Sequence, residues 1–203
     1  MSDLSPGDVD RLVSSLQTMV ETSLSGVNTS MPGVVVSYNA GTGRAAVRPS
    51  LPKQLADGRS LPAPEIVEVP VIWPTAGGAT MTMPIRPGDP VLLHFAQRST
   101  EGWLSGDNSA PDDPRMHDLT DAFASPGLTA SRNADPENFV LSFEGASITF
   151  KPGGIISIKA TAIEIDAPNT TSTGDIKAQL ISLLTHRHTG VVSGGALSAG
   201  PVP

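Results

Sequence analysis

The chain has 203 residues, 13 Lys and Arg against 20 Asp and Glu, a formal net charge of −7 and no cysteine. The acidic balance disfavours a nucleic-acid partner, which needs a basic surface against phosphate, and the missing thiols exclude disulfides, thiolate nucleophiles and Cys-ligated zinc or iron–sulfur centres. With 20 Gly, 19 Pro and 4% aromatic residues, the composition predicts turns and short strands rather than long helices.

Met1-Ser2-Asp3-Leu4 has no basic n-region followed by an apolar h-region, so no signal peptide is expected. Apolar runs such as Val91-Leu92-Leu93 are too short to span a bilayer as a helix. Ser5-Pro6-Gly7-Asp8 reads as a helix start, with a capping Ser, Pro at the first helical position and a capping-box-like Asp. Val9, Leu12, Val13, Leu16, Val20 and Leu24 follow at helical spacing, which predicts an amphipathic helix over 6–24. Its apolar face calls for its own domain, a sister subunit or another assembly component. Residues 26–32 read as a linker.

Strands are expected next. Residues 33–39 and 44–49 form a hairpin about Ala40-Gly41-Thr42-Gly43. A lone Gly-x-Gly in a hairpin, with no helix start after it, is a turn rather than a phosphate loop. Residues 50–64 read as a Pro-rich loop, and further strands are predicted at 66–73, 79–85 and 91–97, with Trp103 closing one near 101–104. Five or six short strands in so few residues suit a small closed barrel of the OB type.

Residues 105–136 are poor in strand signal and hold Asp107, Asp112, Asp113, Asp118 and Asp121. The spacing fits no EF-hand loop, so a solvated acidic loop is expected. His117, in this loop, has no ligand partner at a recognisable spacing. His94, between Leu93 and Phe95, reads as a surface or satisfied barrel residue.

From Asn138 the pattern alternates: Phe139, Leu141, Phe143; Ile148, Phe150; Ile156, Ile158; Ile163, Ile165. Turns fall at Glu144-Gly145 and Pro152-Gly153-Gly154. After residue 160 almost every side chain is small. One chain with such thin strands cannot build a core, whereas three chains wound around one axis can each supply a wall of a narrow apolar column. The alternatives are a small monomeric meander and an unstructured Thr/Ser tail.

At the end stands Thr185-His186-Arg187-His188. In an extended chain both imidazoles share a face and Arg187 takes the other. Two nitrogens are too few for a closed site, but three chains offer six, which fill an octahedron and leave no place for substrate. Metallo-hydrolases that use His-x-His usually continue with Asp-His, whereas Thr189-Gly190 follows here and no histidine remains downstream. Imidazole binds metal in its neutral form, so acid weakens such a site.

Phe143-Glu144-Gly145-Ala146-Ser147-Ile148-Thr149-Phe150, the Ile-x-Ile-x-Ala strands at 156–167, Thr173-Gly174-Asp175-Ile176-Lys177-Ala178 and the His-x-His pair before Gly194-Gly195 together make the chain resemble the central, membrane-puncturing spike proteins at the baseplate of contractile-tailed bacteriophages. The resemblance implies a helix, an OB-fold domain and a trimeric intertwined β-helix with a pointed apex. At that apex His186 and His188 of each of three chains would hold one structural iron ion.

The expected architecture is therefore mainly β. A helix and linker span 1–27, an OB-fold-like barrel with an acidic loop 28–127, a linker 128–137, and a trimeric β-helical spike with a metal-binding tip 138–203. The function implied is a virion protein at the tail baseplate tip, joined to hub or tail-tube proteins and driven through the host outer membrane by sheath contraction. The tail after Gly190 caps the apex or is a linker. Rival readings are a trimeric tail fibre or adhesin recognising a surface saccharide or protein, and an enzyme. No Gly-x-Ser-x-Gly elbow or other assembled catalytic set is found, so no turnover is expected.

Overall fold

The computed structural model describes residues 5–55, 57–127, 134–187 and 194. The chain divides into two compact units, residues 1–133 and 134–203.

Helix α1 runs Pro6–Ser25, one residue past the predicted end. The Ser5 side chain accepts from the Asp8 N–H at 3.3 Å and its hydroxyl donates to Asp8 Oδ2 at 2.7 Å, so the N-terminal donors are met as the Ser-Pro-x-Asp spacing requires. Every apolar side chain along it, from Val9 to Leu24, is exposed.

The rest of unit 1 is built on strands β1 (Ser30–Asn39), β2 (Arg44–Pro49), β3 (Lys53–Gln54), β4 (Ser60–Leu61), β5 (Ile66–Pro70), β6 (Thr75–Ala76), β7 (Ala79–Thr80), β8 (Pro90–Phe95) and β9 (Ala122–Pro126), with the short helix α2 (Glu101–Leu104) before β9. Five strands form one antiparallel sheet in the order β5-β2-β1-β8-β9. Alternate residues turn inward: Val35, Val47, Val69, Val91, Leu93 and Ala124 are buried together. A bulge at Val36 shifts the β1–β2 register, and Glu68 in β5 takes φ 58°. Such irregularities add twist. The sheet curls until its two edges touch at one place, a parallel bridge between Val71 and Ala124, where the Ile72 N–H donates to the Ala124 carbonyl at 2.9 Å. The result is a curled half-barrel.

Gly33 sits where β1 crosses the closest part of this core. A Cβ there would lie 2.7 Å from Val47 Cγ1 and 3.1 Å from Leu93 Cδ1. Overpacking of this kind costs about 1–3 kcal/mol. Gly33→Ala should lower the urea midpoint of barrel unfolding with an unchanged m-value; an unshifted midpoint would mean that the core yields freely.

Several sequence expectations need correction. Strand β1 begins at Ser30, inside the predicted linker, and passes through Pro32. The Pro32 carbonyl accepts from the Ser50 N–H at 2.8 Å on the β2 side. A residue's N–H and C=O point to the same side of a strand, so the missing N–H costs no bond to β8. The loop 50–64 contains the small hairpin β3–β4. Of the predicted strand 79–85 only β7 forms, paired with β6, and Pro84 lacks the donor needed to prolong a ladder. Trp103 lies in α2, not in a strand. The fifth strand of the sheet is β9, inside the segment expected to be loop.

Unit 2 is a three-stranded antiparallel meander of β10 (Phe139–Phe143), β11 (Ala146–Lys151) and β12 (Ile155–Lys159), followed by the small hairpin β13 (Lys177–Ala178) and β14 (Ile181–Ser182). Glu144 at φ 43° and Gly145 at φ 90° make the two-residue turn whose twist matches the strands it joins. The register sets Phe139, Phe150 and Ile156 in one cross-strand row and Leu141, Ile148 and Ile158 in the next. Both rows and Phe143 lie on one face, because residues two apart in a strand point the same way. That face is open: Phe139 is 61% exposed and Ile156 60%. Among the described residues of unit 2 no apolar side chain is buried, and Ser182 alone is. Residues 163–167, expected as a further strand through Ile163 and Ile165, form no ladder with another described segment. A strand needs a neighbour to take its backbone bonds.

Candidate functional site

The histidine pair lies at the end of unit 2. Gln179, at φ 54°, turns the chain between β13 and β14. Leu183–Thr185 then turn again instead of extending the strand. The Thr185 N–H donates to Ser182 Oγ at 3.0 Å, the His186 N–H to the Ser182 carbonyl at 3.0 Å, and the Leu184 N–H to Asp175 Oδ1 at 3.3 Å. The extended geometry expected through Thr185–His188 is therefore not what leads into His186. A short side-chain-closed turn sets its backbone, and the buried Ser182 is the pivot.

That turn also orients the ring. His186 Nδ1 lies 2.9 Å from the Ser182 carbonyl oxygen. A carbonyl only accepts, so Nδ1 must carry the proton, and in the neutral ring the lone pair then sits on Nε2. Fixing the tautomer through a backbone carbonyl is how proteins prepare an imidazole for a metal. His186 and Arg187 are exposed, and His188 lies outside the described residues. Among the described residues no group of three or more His, Asp or Glu side chains is placed to hold a metal ion.

The other two histidines are far from this arrangement in sequence and in a different unit. His94 is half-buried on β8, paired with Ser30 and Phe123 in the ladder. His117 adopts φ 52°; its carbonyl accepts from Asn28 Nδ2 at 2.8 Å, and its buried Nδ1 meets no hydrogen-bond partner among the described residues.

The acidic segment contains a centre that sequence reasoning missed. Asp107, Asp112 and Asp113 are exposed and Asp118 is half-buried, but Asp121 is only 2% exposed. Arg115 Nε donates to Asp121 Oδ2 at 2.6 Å and Nη2 to Oδ1 at 3.2 Å. The Thr100 N–H and hydroxyl donate to Oδ1 at 2.8 and 2.9 Å. Arg115 Nη1 also reaches Asp113 Oδ2 at 2.6 Å. Burial pushes the Asp121 carboxyl up, but the Arg115 hydrogen bonds, the two Thr100 donors and the guanidinium charge together hold it below the usual carboxylate range. Its oxygens are saturated by donors. The group is a strut tying α2 and the preceding loop to β9 rather than an acid or base. The clue available in sequence was position: Asp121 immediately precedes the alternating Ala122-Phe123-Ala124.

Trp103, 59% exposed, packs edge-on against Phe123 with centroids 5.9 Å apart and borders a cleft of about 430 Å³ with Asp107, Asn108 and Asp112. Tyr38 and Trp73 are half-buried on other segments of the barrel. Among the described residues no helix is long and apolar enough to cross a membrane.

Residues 31–127 match the family described as phage protein Gp138 N-terminal domain. The match begins one residue into β1 and ends one residue after β9, so it takes in the half-barrel and the Asp121 strut, while α1 and unit 2 lie outside it. It indicates a phage protein. No curated protein matches the chain.

Proposed function

We propose that this phage protein is the central spike of a contractile tail baseplate and acts as a homotrimer. The observation that supports this most is the meander of unit 2, where seven of nine large apolar side chains share one face and are all exposed in a single chain. Fully burying a side chain of this kind contributes about 1.5–3 kcal/mol. The seven are 38–61% exposed in the single chain, so covering what remains gives roughly 5–10 kcal/mol per chain before the cost of association. Threefold symmetry covers each face with its neighbours and leaves no open edge. The phage-family match of the half-barrel supports the virion setting. In this reading the half-barrel is an OB-type module joined to the hub or tail tube. The column of unit 2 points at the host, and sheath contraction drives it through the outer membrane. The role is mechanical, and no residue is assigned turnover.

His186 and His188 from three chains would supply six neutral imidazoles to one structural metal ion, with iron implied by the resemblance to phage spikes. The Ser182 carbonyl on His186 Nδ1 fits this role, since it presents Nε2 as the ligating atom. The bound ion would tie three chain ends together where each has least core of its own.

The test is metal content and assembly mass of the purified protein. One iron per trimer is expected. His186→Ala/His188→Ala should lose the metal entirely while remaining trimeric, because the meander and not the tip supplies the apolar interface. A metal-free monomer as the native species would sink the spike reading.

A further inference from the structure

Helix α1 also presents an uncovered apolar face. Val9, Leu12 and Val13 repeat seven residues later as Leu16, Met19 and Val20, and Leu24 lies at the rim of the same stripe. All seven are exposed, from Val9 at 43% to Met19 at 66%. The charged residues of the helix, Asp8, Asp10, Arg11 and Glu21, lie outside this stripe. A strict seven-residue repeat marks a helix that packs along a partner helix, since it keeps its seam facing the partner as the two supercoil. A seam with three apolar positions per heptad is wider than the two-position seam of a dimeric coiled coil and suits a bundle of more than two helices.

We infer that α1 closes with α1 of two other copies into a parallel three-stranded coiled coil, a second fastening at the opposite end of the chain from the histidines. The inference rests on the trimeric reading above, because threefold symmetry delivers three parallel copies of the same face. Two heptads are too short to hold free peptides together. In chains already joined through unit 2, closing α1 is an intramolecular step, which lowers the association cost of a short seam. The uncharged stripe lets identical helices meet without burying like charges.

The protein contains no cysteine, so one introduced thiol reports on one position. Leu12→Cys and Leu16→Cys place the thiol in the seam, whereas Thr18→Cys places it on the opposite face of the helix. Each variant of the full chain is oxidised at low concentration after its mass has been measured, and then run without reductant. In a trimer the two seam variants should give linked pairs, with no more than two of every three chains linked, and Thr18→Cys should remain unlinked. A trimer in which neither seam variant links above the Thr18→Cys background overturns the coiled coil and leaves the spike reading standing; α1 would then be open to another assembly component. A monomer with no linkage overturns both.

Discussion

If the protein is the proposed trimer, Ile148→Lys should convert it to monomers. Ile148 is in β11, the middle strand of the meander, and stands opposite both Leu141 and Ile158. It therefore lies at the centre of the open apolar face. If two other copies cover that face, each lysine would have to be buried without a counter-charge, a cost of several kcal/mol that recurs three times in the assembly. Association by burial of apolar surface cannot absorb a loss of that size, so sedimentation should show single-chain mass. The half-barrel should stay folded, because its core is built entirely from residues of unit 1. Thr149→Lys is the matched control: one residue along the same strand, Thr149 points to the opposite face and pairs with Val140 and Ser157. It should remain trimeric. If Ile148→Lys keeps the wild-type mass, the apolar face is not the subunit interface and the column is wrong.

The parts of the fold legible in the sequence are those whose partners are near in the chain. Helix α1 announces itself because Ser5, Pro6 and Asp8 cap it locally. The β10–β12 meander is legible because each strand pairs with the next, and Gly145, Gly153 and Gly154 supply the positive φ its turns need. Strand β9 was hidden by its composition. Ala122 and Ala124 are small because they lie where the sheet edges approach closely enough for a backbone bond at Ile72, and small residues carry little periodic signal. Trp103 suggested a strand by its type, but residues 101–104 take one helical turn and lay the indole on Phe123. At the histidines, sequence supplied the residue types and the even spacing. It did not supply the Leu183–Thr185 turn or the Ser182 contact, because both depend on a side chain closing back on the backbone. Residues 163–167 were read as strand from alternation alone, which cannot say whether a pairing partner exists in the same chain.

Asp121→Ala should destabilise the half-barrel by about 1–3 kcal/mol, the usual cost of leaving buried donors without their acceptor. That is a sizeable share of the roughly 5–15 kcal/mol of a typical domain. The loss has two parts: Arg115 loses its buried acceptor, and the Thr100 N–H and hydroxyl lose theirs. Arg115→Leu should also destabilise the half-barrel, by leaving the carboxylate buried without its cation. The double variant Asp121→Ala/Arg115→Leu should cost clearly less than the two singles combined, because the groups share one interaction. Both tryptophans, Trp73 and Trp103, lie in unit 1, so their fluorescence follows unfolding of that unit. The pH dependence separates charge from packing. The Asp121 carboxyl is held below its ordinary value in the folded protein. Its contribution is therefore complete above the unfolded value of about 3.9 and is lost as pH falls through the lower folded value. Wild type should lose stability across that acid range more steeply than Asp121→Ala, which has no such proton to take up. Equal acid slopes in the two proteins would show that Asp121 supports β9 by packing alone, and that the Arg115 contact contributes nothing as a charge pair.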